Sequence, residues 1–315
     1  VSLFINESTN LSRYKKNIKI YGSTNYKSKF KLNYINISLP QKTLGSQSKL
    51  YINKFINFEK NEKSDLIEIH NRPYYLKYLE KSLNNRNYTL FFHNDPLFME
   101  GSKSIDDRKF LLTKCHRIIF NSNWSKKRFL EGLPNKFINS DKLLVCFQSA
   151  KKGQIKNIKN KKKWITFVGK LNKAKGYDIF GEAIINILNK NKHWRAKVVG
   201  DEKREKIVIK HKNIDLLGFT EHKKVLNLFK NSSIAVVCSR WDEPFGRTSL
   251  EAAANGCAVV ISNKGGLPET VTNSIILQNL NSKELEKKIS YLINNEEKRI
   301  QLQQLSIKNF YLTHE

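Results

Sequence analysis

The stretch Glu243-Pro244-Phe245-Gly246-Arg247-Thr248-Ser249-Leu250-Glu251 sets two carboxylates around a glycine and the start of a helical pattern. Pro244 stops any helix before it, and Gly246 permits close backbone approach. Leu250–Ala254 is strongly helical, and Asn255-Gly256 closes the pattern as a C-cap. The first-turn amides of Arg247, Thr248 and Ser249 would then form an anion site, since a helix N-terminus offers unpaired donors and a favourable dipole. A carboxylate beside bound phosphate makes sense only if it accepts from hydroxyls, which suits Glu243 to a sugar. Glu251, one turn into the helix, can hold a vicinal diol such as that of a ribose. Either glutamate alone would be ordinary dipole compensation, worth about 0.3–1 kcal/mol. The pair, with this sequence between them, reads as a clamp on sugar, pyrophosphate and ribose.

A second phosphate element is Gly169-Lys170-Leu171-Asn172-Lys173-Ala174-Lys175-Gly176. Lys170 and Lys175 stand five apart behind a strand end, with Gly176 opening the next helix. Both can reach a diphosphate leaving group and offset the charge that develops as a glycosidic bond breaks. Lysines in so basic a chain are weak evidence by themselves, and the flanking glycines strengthen it.

These residues need strand ends and helix starts to hold them. In the first half, strands are expected at Asn17–Gly22, Tyr34–Leu39, Asp65–His70, Tyr88–His93, Arg117–Ser122 and Leu143–Phe147, with helices such as Tyr74–Leu83 and Asn123–Glu131 between them. In the second half, strands are expected at Trp164–Gly169, Ala196–Gly200, Ile214–Gly218, Ile234–Ser239 and Ala258–Ile261. Helices are expected at Asp178–Leu188, Glu221–Lys230, Lys283–Asn294 and Glu296–Asn309. Continuous apolar strands alternating with helices imply parallel sheets covered on both faces. The α/β pattern runs twice, interrupted by Lys151–Lys163, where seven lysines occur without an acid. The expected organisation is a domain over 1–150, a basic linker over 151–163, a second domain over 164–295 and a closing helix beginning in 296–315. Ligands of open parallel sheets bind beyond the carboxyl ends of the strands, so two such domains would hold a ligand in the cleft that they face.

The 315-residue chain carries a net charge of +29. An anionic membrane surface, nucleic acid and anionic substrates are all attracted by such a charge. The joint abundance of Lys, Asn and Ile is equally what an AT-rich gene encodes. The basic residues are spread along the chain and concentrated in the linker, not interleaved with aromatics on one face, which argues against a nucleic-acid binder. No apolar run approaches the roughly 18–20 residues of a membrane span. Four cysteines lie far apart with no C-x-x-C pair and no histidine at metal spacing, so reduced thiols, a cytoplasmic location and no metal are expected.

Gly169-Lys170-Leu171…Lys175-Gly176, Val199-Gly200-Asp201, Leu217-Gly218-Phe219, Ser239…Glu243-Pro244-Phe245-Gly246…Glu251-Ala252 and Gly265-Gly266-Leu267-Pro268-Glu269 follow one another in a fixed order. In that order and spacing they resemble the nucleotide-sugar domain of the family 4 glycosyltransferases, over roughly Trp164–Tyr291. The resemblance implies the GT-B fold, two Rossmann-like doubly wound domains facing a cleft, and a retaining, metal-independent hexosyl transfer. Lys170 departs from the family's more frequent arginine, so a bidentate fork becomes a point charge.

The resemblance also implies roles. Glu243 and the backbone of Phe245 and Gly246 would hold the donor sugar. Thr248 and the helix start, with Lys170 and Lys175, would hold the pyrophosphate, and Glu251 the ribose; Gly169 and Arg247 would also bind the donor. Gly200 with the Gly218-Phe219 backbone would line the nucleobase pocket. In Phe91-Phe92-His93-Asn94-Asp95-Pro96, His93 takes the place of the family's histidine near donor sugar and acceptor. Glu68-Ile69-His70-Asn71-Arg72-Pro73 ends a strand on the same side, so His70, Asn71 and Asn94 are acceptor-side candidates. Asn121-Ser122-Asn123-Trp124 resembles the turn before a cleft helix. The family's first strand and glycine-rich loop have no counterpart, Val1–Ser12 resembles the first helix, and the closing helix reaches Glu315 unfinished.

The expected activity is transfer of a sugar, with retention, from a nucleotide diphosphate sugar to a glycan or lipid-linked acceptor, as in polysaccharide or lipopolysaccharide assembly at the inner face of a membrane. No cofactor is expected beyond that co-substrate. Two alternatives stay open: another GT-B enzyme such as a nucleotide-sugar epimerase, and a non-catalytic glycan- or nucleic-acid-binding protein.

Overall fold

Short runs rich in Ile, Val and Phe become parallel strands, and the patterns between them become the helices that cover their faces. The computed structural model describes residues 1–24, 32–40, 45–83 and 85–314. The chain divides into two units, Val1–Cys146 and Phe147–Glu315, with Glu315 itself outside the described residues.

The first unit opens with α1 (Ser2–Leu11), followed by a small parallel sheet of β1 (Ile20–Gly22) and β2 (Tyr34–Asn36). Then come α2 (Gln47–Glu62), β3 (Leu66–His70), α3 (Tyr75–Ser82), β4 (Asn87–Phe92), α4 (Ile105–Lys114), β5 (Arg117–Phe120), α5 (Asn123–Leu130) and β6 (Leu143–Val145). Strands β3 to β6 lie in sequence order in a four-stranded parallel sheet. Ile67, Ile69, Leu90, Ile118, Phe120 and Leu143 of the sheet pack with Leu76 and Leu79 of α3, Leu111 and Leu112 of α4, and Phe129 of α5.

The second unit contains β7 (Lys162–Val168), α6 (Tyr177–Lys190), β8 (Arg195–Val199), β9 (Ile214–Leu216), α7 (His222–Asn231) and β10 (Ser232–Val237). It continues with α8 (Arg247–Ala254), β11 (Ala258–Ser262), β12 (Ser274–Leu277), α9 (Ser282–Asn294) and α10 (Glu296–Lys308). The six strands are all parallel in the order β12-β11-β10-β7-β8-β9. Counted from the unit's own first strand and read from β9, this is 3-2-1-4-5-6, the dinucleotide-binding arrangement. Strands β10 and β11 are buried on both faces. Ile234, Val236, Ala258 and Val260 face the α6/α9 core, while Ala235, Val259 and Ile261 face the core that includes α8. The period of two thus serves two helix layers at once.

The boundary between units falls at Cys146/Phe147, and the basic stretch 151–163 lies in the second unit. Ala150 N–H donates to the Leu312 carbonyl at 2.9 Å and Gly153 N–H to the Ala254 carbonyl at 2.8 Å, so the stretch is tied down at its start. Lys161 ties it at the end. Its Nζ donates to the carbonyls of Phe229, Lys230, Ser232 and Asn255 at 2.8–3.0 Å. These close the C-terminal ends of α7 and α8, where helices leave carbonyls unpaired and favour a cation. Burial pulls the Lys161 pKa below the ordinary lysine value, and the four acceptors offset that cost. The other lysines of the stretch are exposed.

Replacing Lys161 with Met keeps the aliphatic stem and leaves several carbonyls without their donor. The expected loss is about 2–3 kcal/mol in urea unfolding; a loss under about 0.5 kcal/mol would show that water serves the carbonyls equally well.

Candidate functional site

The order of the second sheet decides where its ligand groups meet. Strands β7 and β10 are neighbours from which the chain winds in opposite directions, so the loops leaving their carboxyl ends diverge around a crevice. Gly169–Gly176 follows β7, and Cys238–Gly246 follows β10.

Glycines let these loops touch backbone to backbone. Gly176 has φ +71°, and a Cβ there would run into the Cys238 carbonyl. Arg240 and Trp241 N–H both donate to the Ala174 carbonyl at 2.9 and 3.0 Å, stitching the two loops together. Asn172 accepts from Lys175 N–H at 3.0 Å and shapes the turn that presents the lysine. Arg240 forms a two-pronged ion pair with Asp178 at the start of α6, at 2.5 and 2.8 Å. The result is an ion pair between Lys175 Nζ and Glu243 Oε1.

Glu243 is held from the other side as well. Gly266 N–H donates to its carbonyl at 2.6 Å, and Gly265, at φ +59°, lies so near that a Cβ would overlap the Glu243 backbone. Phe245 is buried in the core beside Phe147, so its side chain anchors the loop and only its backbone can face a ligand. Gly246 (φ +117°) precedes α8, and Leu267 fills the space that a Cβ would take. Ser249 Oγ donates to the Gly246 carbonyl at 2.8 Å, and its hydroxyl lies 2.7 Å from that of Thr270. Arg247 and Thr248 open the helix half-buried.

Glu251 is 5% exposed. Its Oε1 accepts from Arg247 Nε at 2.6 Å and pairs with His222 Nε2 at 2.8 Å. A carboxylate can accept about four hydrogen bonds, so two protein donors orient it and leave acceptor capacity. His222 was not among the residues singled out from the sequence. It begins α7, 29 positions before Glu251, and no local pattern links the two.

The glycines expected on the nucleobase side form a line at the ends of β7, β8 and β9. Gly169 N–H donates to the Val199 carbonyl at 3.0 Å, and Gly200 N–H to the Gly218 carbonyl at 2.9 Å. Gly200 (φ +130°) lies against the Gly169 carbonyl with no room for a Cβ, whereas Gly218 (φ +63°) has open space around it. The Phe219 ring is 85% exposed and Lys170 is exposed.

The histidine and asparagine candidates form a second cluster, in the first unit. Strands β3 and β4 pair His70 with Phe91, and beyond this pair His70 Nδ1 lies 3.1 Å from His93 Nε2. Asn71 adopts φ +56°, which aims its Oδ1 at the N–H groups of His93 (2.7 Å) and Asn94 (3.2 Å). Asn121 Nδ2 donates to the His93 carbonyl at 3.2 Å. Ser122 Oγ caps α5 by accepting from Ser125 N–H at 3.0 Å, the ordinary role of a serine there. Burial, and then the neighbouring His70, push His93 down to about 3, so its imidazole is neutral. Asn71 and Asn94 with the neutral His93 therefore offer an uncharged polar surface beside His70, and Lys175, Glu243, Arg247 and Glu251 a charged one beside His222.

A model of the family described as Glycosyl transferases group 1 matches residues 148–308. Spore coat protein SA of Bacillus subtilis (strain 168) is 24% identical over 274 residues, 77% of this chain and 72% of that protein. The uncharacterized glycosyltransferase MJ1178 of Methanocaldococcus jannaschii is 32% identical over 200 residues, 61% of this chain and 53% of that protein. Anabaena Alr3699/HepE, whose crystal structure holds UDP, superposes with a TM-score of 0.76 at 18% identity, covering 98% of this chain and 92% of that one. The last likeness shows the fold, and it is the α/β GT-B class.

Gly200 and Gly218 separate steric need from backbone need. Gly200→Ala should cost more than about 2 kcal/mol in chemical denaturation, because strain and overlap act together. Gly218→Ala should cost only the left-handed backbone penalty, about 1–2 kcal/mol. Equal losses would contradict the backbone contact between Gly200 and Gly169.

Proposed function

This chain belongs to the glycosyl transferases group 1 family, and from that premise we propose that it moves a sugar from a nucleotide diphosphate sugar to a glycan or lipid-linked acceptor, with retention of anomeric configuration. The observation that carries the reading is the pair of fixed glutamates at the crevice of the second sheet, Glu243 with Lys175 and Glu251 with Arg247 and His222.

In the proposed complex the start of α8 and the ammonium groups of Lys170 and Lys175 take the diphosphate. Glu251 accepts from the ribose hydroxyls and Glu243 from those of the donor sugar. The line of Gly169, Gly200 and Gly218 offers flat backbone to the base, with the exposed Phe219 beside it. As the bond between sugar and diphosphate breaks, negative charge grows on the leaving oxygen, and Lys170 and Lys175 stabilise it. The acceptor hydroxyl then attacks the face that the nucleotide leaves, its proton passing to the departing diphosphate oxygen, and no protein nucleophile is needed. Two lysines in the role of counter-charge make the reaction independent of a divalent metal. The polar cluster of His70, Asn71, His93 and Asn94 suits a hydroxyl-bearing acceptor.

Among the described residues no helix is long and apolar enough to cross a membrane. The exposed lysines of 151–163 suit an anionic bilayer surface, where a lipid-linked acceptor would lie.

UDP-glucose is the first donor to test, since UDP occupies the crystal structure of the Anabaena relative. Glu243→Ala should lower turnover by about 10²–10³-fold while nucleotide affinity stays nearly constant. Glu251→Ala should weaken nucleotide binding about tenfold, the loss of one charge-assisted hydrogen bond. Full transfer by both variants on an accepted donor would refute the assignment. A chelator should leave turnover unchanged, and a strict metal requirement would overturn the role given to Lys170 and Lys175.

A further inference from the structure

His93 is 8% exposed, and its Nδ1 has no hydrogen-bond partner among the described residues. A buried acceptor or donor left so costs about 1–3 kcal/mol, and its surroundings show which of the two it is. On the far side of the ring, His93 Nε2 lies 3.1 Å from His70 Nδ1. The other nitrogen of that ring, His70 Nε2, lies 3.5 Å from Glu68 Oε2. The two imidazoles are nearly parallel, at 19°, and His70 is itself stacked on Phe91 at 4.6 Å. Three side chains from β3 and the end of β4 thus form a line ending at the orphan nitrogen.

The line has a direction. A carboxylate only accepts, so the nearby Glu68 favours a hydrogen on His70 Nε2. A neutral His70 then presents a lone pair at Nδ1, and His93 must donate to it from Nε2–H. A neutral His93 has one ring hydrogen, so its Nδ1 carries a lone pair. The opposite sense would put a hydrogen on His70 Nδ1, and a neutral ring would then turn a bare Nε2 toward the Glu68 carboxylate. The backbone at His93 is held independently, by Asn71 on its N–H and Asn121 on its carbonyl, so the line acts on the ring alone.

We propose that Glu68 and His70 are positioning residues that fix His93 as the Nε2–H tautomer, making its Nδ1 the acceptor for a hydroxyl of the bound sugar substrate. This rests on the transferase reading above. Because Nδ1 lies beneath the surface, the hydroxyl reaches it only when a covering group moves. Phe4 of α1, whose ring packs edge-on to His93 at 5.0 Å, is a neighbour whose displacement would widen the approach.

The test is a long-range ¹H–¹⁵N spectrum of the full chain labelled with ¹⁵N-histidine, with His93 assigned by the signals lost in His93→Gln. Wild type should show His93 protonated at Nε2 and bare at Nδ1 at neutral pH. His70→Phe keeps the ring on Phe91 but removes the acceptor. It should give a mixture of His93 tautomers and lower turnover about tenfold, the effect of one hydrogen bond. His70→Asn, which retains an acceptor oxygen near the place of Nδ1, should restore the Nε2–H tautomer and most of the turnover. Wild-type His93 protonated at Nδ1, or a spectrum unchanged in His70→Phe, would overturn the proposal. The tautomer is read without substrate. The expected spectrum with no transfer would therefore count against the enzymatic reading alone, and transfer with the wrong tautomer against the Glu68–His70 line alone.

Discussion

Backbone presses against backbone at three points along the carboxyl edge of the second sheet, and the site depends on all three. Gly176 meets the Cys238 carbonyl, Gly200 the Gly169 carbonyl and Gly265 the Glu243 peptide, each with no room for a side chain. Glycine in such places costs conformational entropy, about 0.5–1 kcal/mol relative to alanine in regular structure. In return two loops from neighbouring strands cross closely enough for Lys175 to reach Glu243. A Cβ at Gly176 would push those two loops apart, and the ion pair would be lost with the crossing.

Charge is distributed between the units with a similar economy. The chain is strongly basic, yet its two buried or half-buried candidate acids each have a specific cationic or imidazole partner. Glu243 has Lys175, and Glu251 has Arg247 and His222. An acid at low exposure without such partners would take up a proton instead. The first-unit cluster solves burial the opposite way, with His93 held neutral and two asparagines satisfying backbone groups. One cluster is therefore equipped for anions and the other for hydroxyls, which is the division that the proposed donor and acceptor roles require.

The elements most legible in the sequence were those whose periodicity is undiluted. Ile234–Ser239 and Ala258–Ile261 read as strands because both faces are apolar, and Asp178–Leu188 reads as a helix because its buried face is continuous. The helices α2 and α4 were not singled out, and each buries a charged residue on its core face. Glu59 of α2 accepts from Ser64 N–H and Oγ, and Arg108 of α4 donates to the Phe129 and Glu131 carbonyls. A satisfied charge inside looks in sequence like a break in the pattern. Strand β12 was passed over for another reason: four residues at a sheet edge are too short to show a period.

By itself the sequence determined the α/β class, the strand ends that carry Gly169 and His93, and the helix start at Gly246 between Glu243 and Glu251, because glycine, proline and helix-start residues act over a few positions. It could also name His70, Asn71 and Asn94 as neighbours of a strand end. Only the tertiary structure decided which side chains meet: Lys175 with Glu243, His222 with Glu251, and Glu68 through His70 with His93. Those pairs are 68, 29 and 23–25 positions apart, and what joins them is parallel strand order and register. Hydrogen bonds within a sheet set that order between distant segments, so no local spacing in the chain encodes it.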